Sequence, residues 1–345
     1  MTAVAEQSIL DFYRYPPIGI DDWRYAFETA QIRAIETQLL SRATLLDMAN
    51  AQGFEATVDL SGSSEYALSH GGRDFGELEV NLRSSRLAVR ELFSDLMIDK
   101  PIAELFRTRD DFSNIRLAVR RMLTERPIGT DYSNEGNFAP ELFEAVFEEE
   151  DYELLPDYME AAVERAVVSY YQNKEIRQID YAIDSFQAEY NLKKARELES
   201  IFLLGLFRIQ IDLTNIRTML RVKFTESEQR NVFLEGGYIE PERLRAGLDI
   251  GNEAVGQLFF ATPYHQVVET SANYLVSNKS FLKTEQQCEE YITGFLKTTV
   301  PITSGPQPII AYLLMKENEI RTVRLILTAK RNELDTRLIL DRIGE

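Results

Sequence analysis

Apolar and polar positions recur with helical spacing along most of the chain, and the pattern is clearest in residues 198–223. This stretch begins with a nearly unbroken apolar run from Ile201 to Phe207. Arg208, Asp212 and Asn215 follow at positions i, i+4 and i+7, which places all three on one stripe of an α-helix. The pattern therefore predicts a buried helix that carries a single polar stripe.

The same order of residues occurs 101 positions earlier, without a gap. Residues 105–121 read LFRTRDDFSNIRLAVRR, and residues 206–222 read LFRIQIDLTNIRTMLRV. The charged and amide positions match in these pairs: Arg107/Arg208, Asp111/Asp212, Asn114/Asn215, Arg116/Arg217 and Arg120/Arg221. The match indicates an internal repeat of one structural helix, and a repeat of this kind organises the whole fold.

Two fainter copies of the pattern lie near the ends of the chain. The first keeps the order of basic, acidic, amide and Ile–Arg positions at the same spacing, in Arg24, Glu28, Gln31, Ile32 and Arg33. The C-terminal copy keeps only an Ile–Arg–Thr core around Arg321, after Glu319, and Tyr312 replaces the first Arg.

The charged stripe is interpreted as a structural feature. Arg107 is one turn before Asp111, and Arg208 is one turn before Asp212, so each pair can form an ion pair along its own helix. An unpaired buried charge is costly, so these residues are expected to fix the register between neighbouring long helices. Asp212 is expected to be buried and bonded to an Arg. The alternative is a stripe that is merely solvated.

The chain is predicted to be all-α, because β-branched residues in strict alternation are scarce. The long helices are predicted at Trp23 to about Leu40, Phe75–Ile98, Pro101–Thr124, Pro156 to almost Lys223 with a break near Tyr190, and Ile309 to about Leu340. Small Gly-punctuated lobes separate them, at 41–66, 127–153 and 236–264. The recurring order predicts three pseudo-symmetric helical units, each made of a long helix, a small lobe and a long helix.

The domain boundaries follow from this order of helices and lobes. We expect an N-terminal arm at 1–21, a first repeat at 22–98 and a second repeat at 99–190. The third repeat, with the closing C-terminal helices, is expected at 191–345.

Charge limits the classes of partner. The formal net charge is −18, which disfavours nucleic acid and anionic lipid. Residues 135–165 hold most of this charge and contain one basic residue, Arg165; they are interpreted as a solvated face, with a docking surface for a basic partner as the alternative. Cys288 is the only cysteine, which fits a cytosolic setting. No signal peptide is expected, and the uncharged run Thr298–Met315 contains too many Pro and Gly residues for a membrane span.

Candidate chemistry is sparse, and no catalytic, metal-binding or cofactor-binding residue is predicted. His70 and His265 are the only histidines, and no GxxxxGK[ST] sequence occurs. Cys288 has no evident basic activator in the sequence around it. Asp110–Asp111 on a helix is similar to the magnesium-binding aspartates of terpene synthases, but Asp111 is already explained by the repeat and Asp110 has no acidic counterpart.

Four stretches in order carry a family resemblance: YAFETAQIRAIETQLLS, IDLTNIRTMLRVK, GGYIEPERL with the following TPY, and AYLLMKENEIRTVRLILTAK. Together they resemble the C subunit of bacterial and archaeal V/A-type rotary ATPases, which corresponds to the d subunit of eukaryotic V-ATPases. The resemblance covers about residues 22–335.

The resemblance implies a funnel of three similar helical domains, on the cytoplasmic face of the membrane rotor ring and peripheral to the membrane. Such an adapter receives the foot of the shaft, which is built from the D and F subunits, and couples ATP hydrolysis or synthesis to proton or sodium transport. It is non-catalytic, and the resemblance assigns no partner contact to individual residues. The alternatives are a helical-repeat scaffold unrelated to ATPases and, third, a Mg²⁺-dependent enzyme similar to terpene synthases.

Overall fold

The helical fold class is confirmed. The computed structural model describes residues 8–61, 66, 75–226 and 229–344, and these form α-helices and short 3-10 helices with no strand. The α-helices are α1 Ala26–Glu36, α2 Arg42–Asn50, α3 Gly53–Ser61, α4 Phe75–Leu96, α5 Lys100–Leu123, α6 Phe143–Glu148, α7 Asp157–Asn173, α8 Arg177–Glu197, α9 Ile201–Phe224, α10 Pro241–Asp249, α11 Val255–Leu258, α12 His265–Asn278, α13 Leu282–Lys297, α14 Pro306–Arg331 and α15 Thr336–Ile343. None of the helices in these residues is both long and apolar enough to cross a bilayer. His70 and Gly71–Gly72 lie outside the described residues.

The helices group into two compact units, and the first contains Met1–Asp11 and Asp99–Asp249. Within it, α5, α7 and α8 pack against one another, and α9 packs against α8 and α10. Phe112 is fully buried in the core of α5, α7 and α8, where its ring meets those of Tyr158, Phe186 and Tyr190. This aromatic cluster determines which face of α5 packs against α7 and α8.

The second unit contains both ends of the chain, Phe12–Ile98 and Ile250–Glu345. The last long helix, α14, is its central element and packs against α1 to α4, α13 and α15. Its apolar positions Val323, Ile326 and Leu327 are fully buried. Arg90 of α4 donates to Glu317 of α14 at 2.7 Å, so a half-buried ion pair joins these two long helices.

The segment before α1 runs along the C-terminal part of the second unit. The Tyr15 ring packs edge-on against Tyr291, with the centroids 5.2 Å apart. Its hydroxyl sits over Gly294, where a Cβ atom would come closer than 3.0 Å to it. The Asp22 N–H donates to the Ser304 carbonyl at 2.7 Å. Residues 15–22 are thus fastened to α13 and to the loop before α14.

The break expected near Tyr190 is wrong. Helix α8 continues through Tyr190, because residues 177–197 contain no Gly or Pro and the Tyr190 ring packs 5.9 Å from Phe112. The chain turns instead at Lys174, which adopts a left-handed conformation with φ 57°. It turns again before Ser200, which caps α9.

The single C-terminal helix expected from Ile309 to about Leu340 is also wrong, because the structure forms α14 and α15 there. Glu333 lies in the left-handed region with φ 54°, which ends α14. The Asp335 side chain accepts from the Arg337 N–H and caps α15. The division into 1–21, 22–98, 99–190 and 191–345 stays a prediction, although its 190/191 boundary falls inside α8.

Candidate functional site: the repeated acid clasp

The two strong copies of the signature lie on α5 and α9, and their acids are fully buried. Asp111 Oδ1 and Oδ2 accept from the Asn137 N–H at 2.9 and 3.1 Å, and Oδ1 also accepts from the Phe138 N–H at 3.1 Å. The Asn137 side-chain amide and the Tyr158 hydroxyl donate to Oδ2 at 3.0 and 2.7 Å. We call this grip of a buried helix carboxylate on two successive backbone N–H groups the acid clasp.

The α9 copy forms the same clasp. Asp212 accepts from the Tyr238 N–H at 3.0 Å and from the Ile239 N–H at 2.9 Å. Tyr238 and Ile239 stand 101 positions after Asn137 and Phe138, so the sequence register of the helices continues into the lobes. The burial predicted for Asp212 is confirmed, and the contacts found around it include backbone donors that the sequence pattern does not reveal.

A glycine in each lobe lets the backbone approach the carboxylate. A Cβ atom on Gly136 would come closer than 3.0 Å to Asp111 Oδ1, and a Cβ atom on Gly237 would do the same at Asp212 Oδ1. The two glycines are also 101 positions apart, and Pro140/Pro241 continue the match. This extension of the repeat beyond the helices was missed, although an offset search continued past residue 121 would have found it.

The amide that follows each acid holds the lobe a second time. Asn114 donates to the Ser133 carbonyl at 2.8 Å and accepts from the Ser133 N–H at 2.9 Å. Asn215 makes the same reciprocal pair with Leu234, with both distances 2.8 Å. In each case the Asn side-chain amide forms two hydrogen bonds with the backbone of a single residue, as a neighbouring β-strand would. Both the N–H and the C=O group of that residue are thereby satisfied.

The arginines after the clasp of α5 bridge two long helices. Arg116 pairs with Asp184, and Arg120 pairs with Asp180, both on α8. Burial raises the pKa of Asp184, and the neighbouring Arg116 opposes that shift. The bridging role expected for the stripe is therefore seen at these two positions.

The other signature arginines have different surroundings. Arg208 donates to the Gly237 carbonyl at 3.0 Å, and its guanidinium lies 4.0 Å from the Tyr238 ring centroid. Arg107 and Arg221 are exposed, and Arg217 is half-buried. Arg321 of α14 is exposed and lies 3.6 Å from Glu289.

The second unit holds a related arrangement on α14. Glu319 is nearly buried and accepts from the Leu40 N–H at 2.5 Å, from the Tyr66 hydroxyl at 2.7 Å and from Lys316 at 2.7 Å. In the register of Arg321 with Arg116, Glu319 takes the position of Asn114 and Lys316 takes the position of Asp111. Here too, a polar side chain of the signature helix binds a backbone N–H at the edge of a lobe.

The remaining candidate residues show no catalytic arrangement. His265 begins α12, and its Nδ1 lies 2.9 Å from the Gly256 carbonyl. Cys288 is buried. Within the described residues, no group of three His, Cys, Asp or Glu side chains is placed to hold a metal ion. Asp111, one half of the aspartate pair considered for Mg²⁺, already accepts the donors of its clasp.

In the first unit, α5 and α9 thus each hold a small lobe by matching buried hydrogen bonds. The model of the ATP synthase (C/AC39) subunit family matches residues 29–342, and the chain belongs to this family. This membership removes the alternative of an unrelated helical scaffold.

Individual relatives align with this chain over nearly their whole length. The C subunit of the V-type sodium ATPase of Enterococcus hirae is 22% identical, over 91% of this chain and 96% of that protein. The C subunit of the A-type ATP synthase of Desulfurococcus sp. is 24% identical, over 93% and 91%. The corresponding A-type ATP synthase protein of Methanococcoides burtonii is 22% identical, over 92% and 94%.

Proposed function

We propose that this chain is the rotor adapter of a V/A-type ATPase, non-catalytic itself and located on the cytoplasmic face of the membrane through its complex. It joins the shaft, built from the D and F subunits, to the membrane rotor ring. It thereby couples ATP hydrolysis or synthesis to the transport of protons or sodium ions. The family match over residues 29–342 is the observation that carries this proposal.

The clasps supply a physical reason why such a body suits torque transmission. A smooth apolar interface resists sliding weakly, whereas a lobe held by Asp111 and Asn114 has its backbone hydrogen-bonded at two separate points. Asp212 and Asn215 repeat the same two points on α9. Moving either lobe along its helix would break several buried hydrogen bonds together, and buried groups left without partners are costly.

Reconstitution of the rotary complex with and without this chain tests the proposal. ATP hydrolysis and ion transport into proteoliposomes are measured separately on the same preparation. We expect hydrolysis to continue without the chain and ion transport to stop, and both to be coupled again when the purified chain is added back.

Two results would overturn the proposal. Full ion transport in the absence of the chain would show that it is not needed for coupling. ATP hydrolysis by the purified chain alone would show that it is not a non-catalytic component.

A further inference from the structure

A glycine inside α13 is explained by the segment of chain that passes over it. Gly294 lies within Leu282–Lys297, where glycine is less favourable than alanine because it loses more backbone freedom on folding. A Cβ atom at this position would come closer than 3.0 Å to the Tyr15 hydroxyl oxygen, and the three nearest atoms it would meet all belong to Tyr15. The missing side chain therefore leaves the space that the Tyr15 ring occupies.

Aromatic rings flank this space on both sides. The Tyr15 ring centroid lies 5.2 Å from that of Tyr291 and 6.1 Å from that of Phe295, and both of these residues are buried. Tyr264 extends the cluster, with its ring centroid 4.9 Å from that of Tyr291. We call the surface formed by Tyr291, Gly294 and Phe295 the arm groove. It is an aromatic groove on one helix, filled by a side chain from the start of the chain.

Polar side chains of the same unit bind the backbone of the segment in the groove. The Tyr291 hydroxyl donates to the Arg14 carbonyl at 2.6 Å. The Gln307 side-chain amide donates to the carbonyls of Ile18 and Ile20 at 3.2 and 3.3 Å. These donors bind a stretch that contains Pro16 and Pro17 and forms no helix. Pro-rich segments lack internal hydrogen bonds and dock in this way on aromatic-lined grooves, with their carbonyl groups free to accept.

The segment and its groove differ in their relation to the family. The residues of the arm groove lie inside the range 29–342 that the family model matches, whereas the segment that fills the groove lies before it. This agrees with a ligand-like segment that is added to the shared helical body.

We propose that the arm groove is a recognition site for an extended peptide with an aromatic residue followed by two prolines. Residues 14–20 are its ligand within the same chain, and they exchange between a bound position and a released one. The exposure of the flanking side chains agrees with this role, since Tyr13 is 97% and Ile20 is 86% exposed while Pro16 is buried. This inference concerns the second unit alone and does not depend on the proposed function.

A second attachment keeps the released segment close to its groove. The Asp21 side chain accepts from the N–H groups of Thr303 and Ser304 at 2.8 and 3.1 Å, and the Asp22 N–H donates to the Ser304 carbonyl at 2.7 Å. The segment is thus tethered by the few residues that follow it. A short tether gives an effective concentration on the order of millimolar, so a free peptide competes poorly until the tethered segment is weakened.

The first test measures binding of a labelled peptide to the full chain by fluorescence anisotropy. The peptide has the sequence of residues 12–18, FYRYPPI. Tyr15→Ala should empty the groove, so this variant should bind the peptide about 10-fold or more tightly than the unchanged chain does. A peptide with alanine at the position of Tyr15 should bind the same variant about 10-fold or more weakly, because the aromatic anchor is lost.

Filling the groove from below distinguishes this site from other surfaces of the chain. Adding Gly294→Ala to Tyr15→Ala should weaken peptide binding about 10-fold or more, because the new Cβ takes the space of the tyrosine ring. Adding Gly251→Ala instead is the matched control, since no atom lies within 4 Å of a Cβ at that position of the same unit. It should leave peptide binding unchanged. Far-UV circular dichroism checks that both double variants remain helical.

Tryptic cleavage after Arg14 provides a second measurement that needs no peptide. The bound segment protects this site, and when opening and closing are fast the cleavage rate follows the population of the released position. Gly294→Ala alone should be cut after Arg14 about 10-fold faster than the unchanged chain, and Gly251→Ala at the same rate as the unchanged chain. Mass spectrometry of the fragments identifies the site. This comparison decides the question if Tyr15→Ala does not fold.

The opposite results would overturn the inference. Peptide binding that is equally weak in the unchanged chain and in folded Tyr15→Ala would show that the groove does not recognise a separate peptide. Cleavage after Arg14 at the same rate in Gly294→Ala and the unchanged chain would show that the segment does not depend on the groove. None of these measurements involves the rotary complex, so either failure would leave the adapter proposal standing.

Discussion

The clasps of α5 and α9 make the same hydrogen bonds to the backbone, but different side chains surround the two acids. Asp111 adds bonds from the Asn137 amide and the Tyr158 hydroxyl to its two backbone donors. At the α9 copy, Tyr238 takes the position of Asn137, and its ring packs against Arg208. The parts that both copies share are the acid, the glycine and the two N–H groups. The hydrogen bonds from the backbone to the acid are therefore the repeated element, while the surrounding side chains differ between the copies.

Removing the acids should produce the largest effect. Asp111→Ala and Asp212→Ala should each lower the free energy of unfolding by about 3–5 kcal/mol, because buried donors lose a charged acceptor. Asp111→Ala should lie at the upper end, since Tyr158 and Asn137 also lose their acceptor. Urea unfolding followed by far-UV circular dichroism measures the change, and hydrogen exchange at residues 137–138 and 238–239 localises it. An unchanged unfolding midpoint in both variants would show that the clasps do not stabilise the fold.

Adding a methyl group at the shared glycine should come next. Gly136→Ala and Gly237→Ala should lower stability by similar amounts, about 2–4 kcal/mol, because the new Cβ must displace the carboxylate. Gly251→Ala is the control, since no atom lies within 4 Å of a Cβ at that position. A large difference between the two clasp variants in thermal or urea unfolding would contradict the equivalence of the copies.

Alkaline pH should reveal the contribution of Tyr238, at the α9 copy, to the stability of the fold. Burial raises the pKa of Tyr238 to about 12, with Arg208 opposing the shift. A tyrosine whose folded-state pKa is raised stabilises the fold fully below its unfolded pKa, near 10, and that contribution is lost as the pH rises to about 12. Between pH 9 and 12 the chain should therefore lose about 2 kcal/mol more stability than Tyr238→Phe does. Parallel loss in both proteins would show that Tyr238 does not carry this effect.

Removal of the Tyr158 hydroxyl should change the free energy of unfolding least. Tyr158→Phe should cost about 1–2 kcal/mol, because one hydrogen bond to a charged acceptor is removed while the ring stays packed. Tyr171→Phe, at an exposed position on the same helix, should be neutral. Burial and the adjacent Asp111 raise the pKa of Tyr158, which agrees with a hydroxyl that donates to a carboxylate. Equal stability of the two variants would show that Asp111 does not depend on this bond.

Helical periodicity predicted the fold class because long amphipathic helices have a strong sequence signal. The start of the chain shows this well: the sequence predicted a helix from Trp23, and a short 3-10 helix capped by Asp22 begins at that residue and leads into α1. The gapless offset likewise predicted α5 and α9 as copies, and their acids and amides make matching contacts. The predicted break near Tyr190 was wrong, because no residue there breaks a helix and α8 continues to Glu197.

The clasp itself could not be predicted from helix spacing. Spacing identifies only neighbours on one helix, so Arg208 was the natural partner to expect for Asp212. The backbone donors to Asp111 and Asp212 come from turns about 26 residues further on, and backbone N–H groups are not visible in a hydropathy pattern.

The bond between Leu40 and Glu319 has a consequence for the order of assembly. It spans 279 residues, whereas the bonds between Asn114 and Ser133 span 19. Closing the longer loop costs about 2 kcal/mol more in chain entropy. At a synthesis rate of roughly 5–20 residues per second, the Leu40 amide also waits on the order of tens of seconds before its acceptor has been made. The lobe that leaves the ribosome first is therefore the one fastened last.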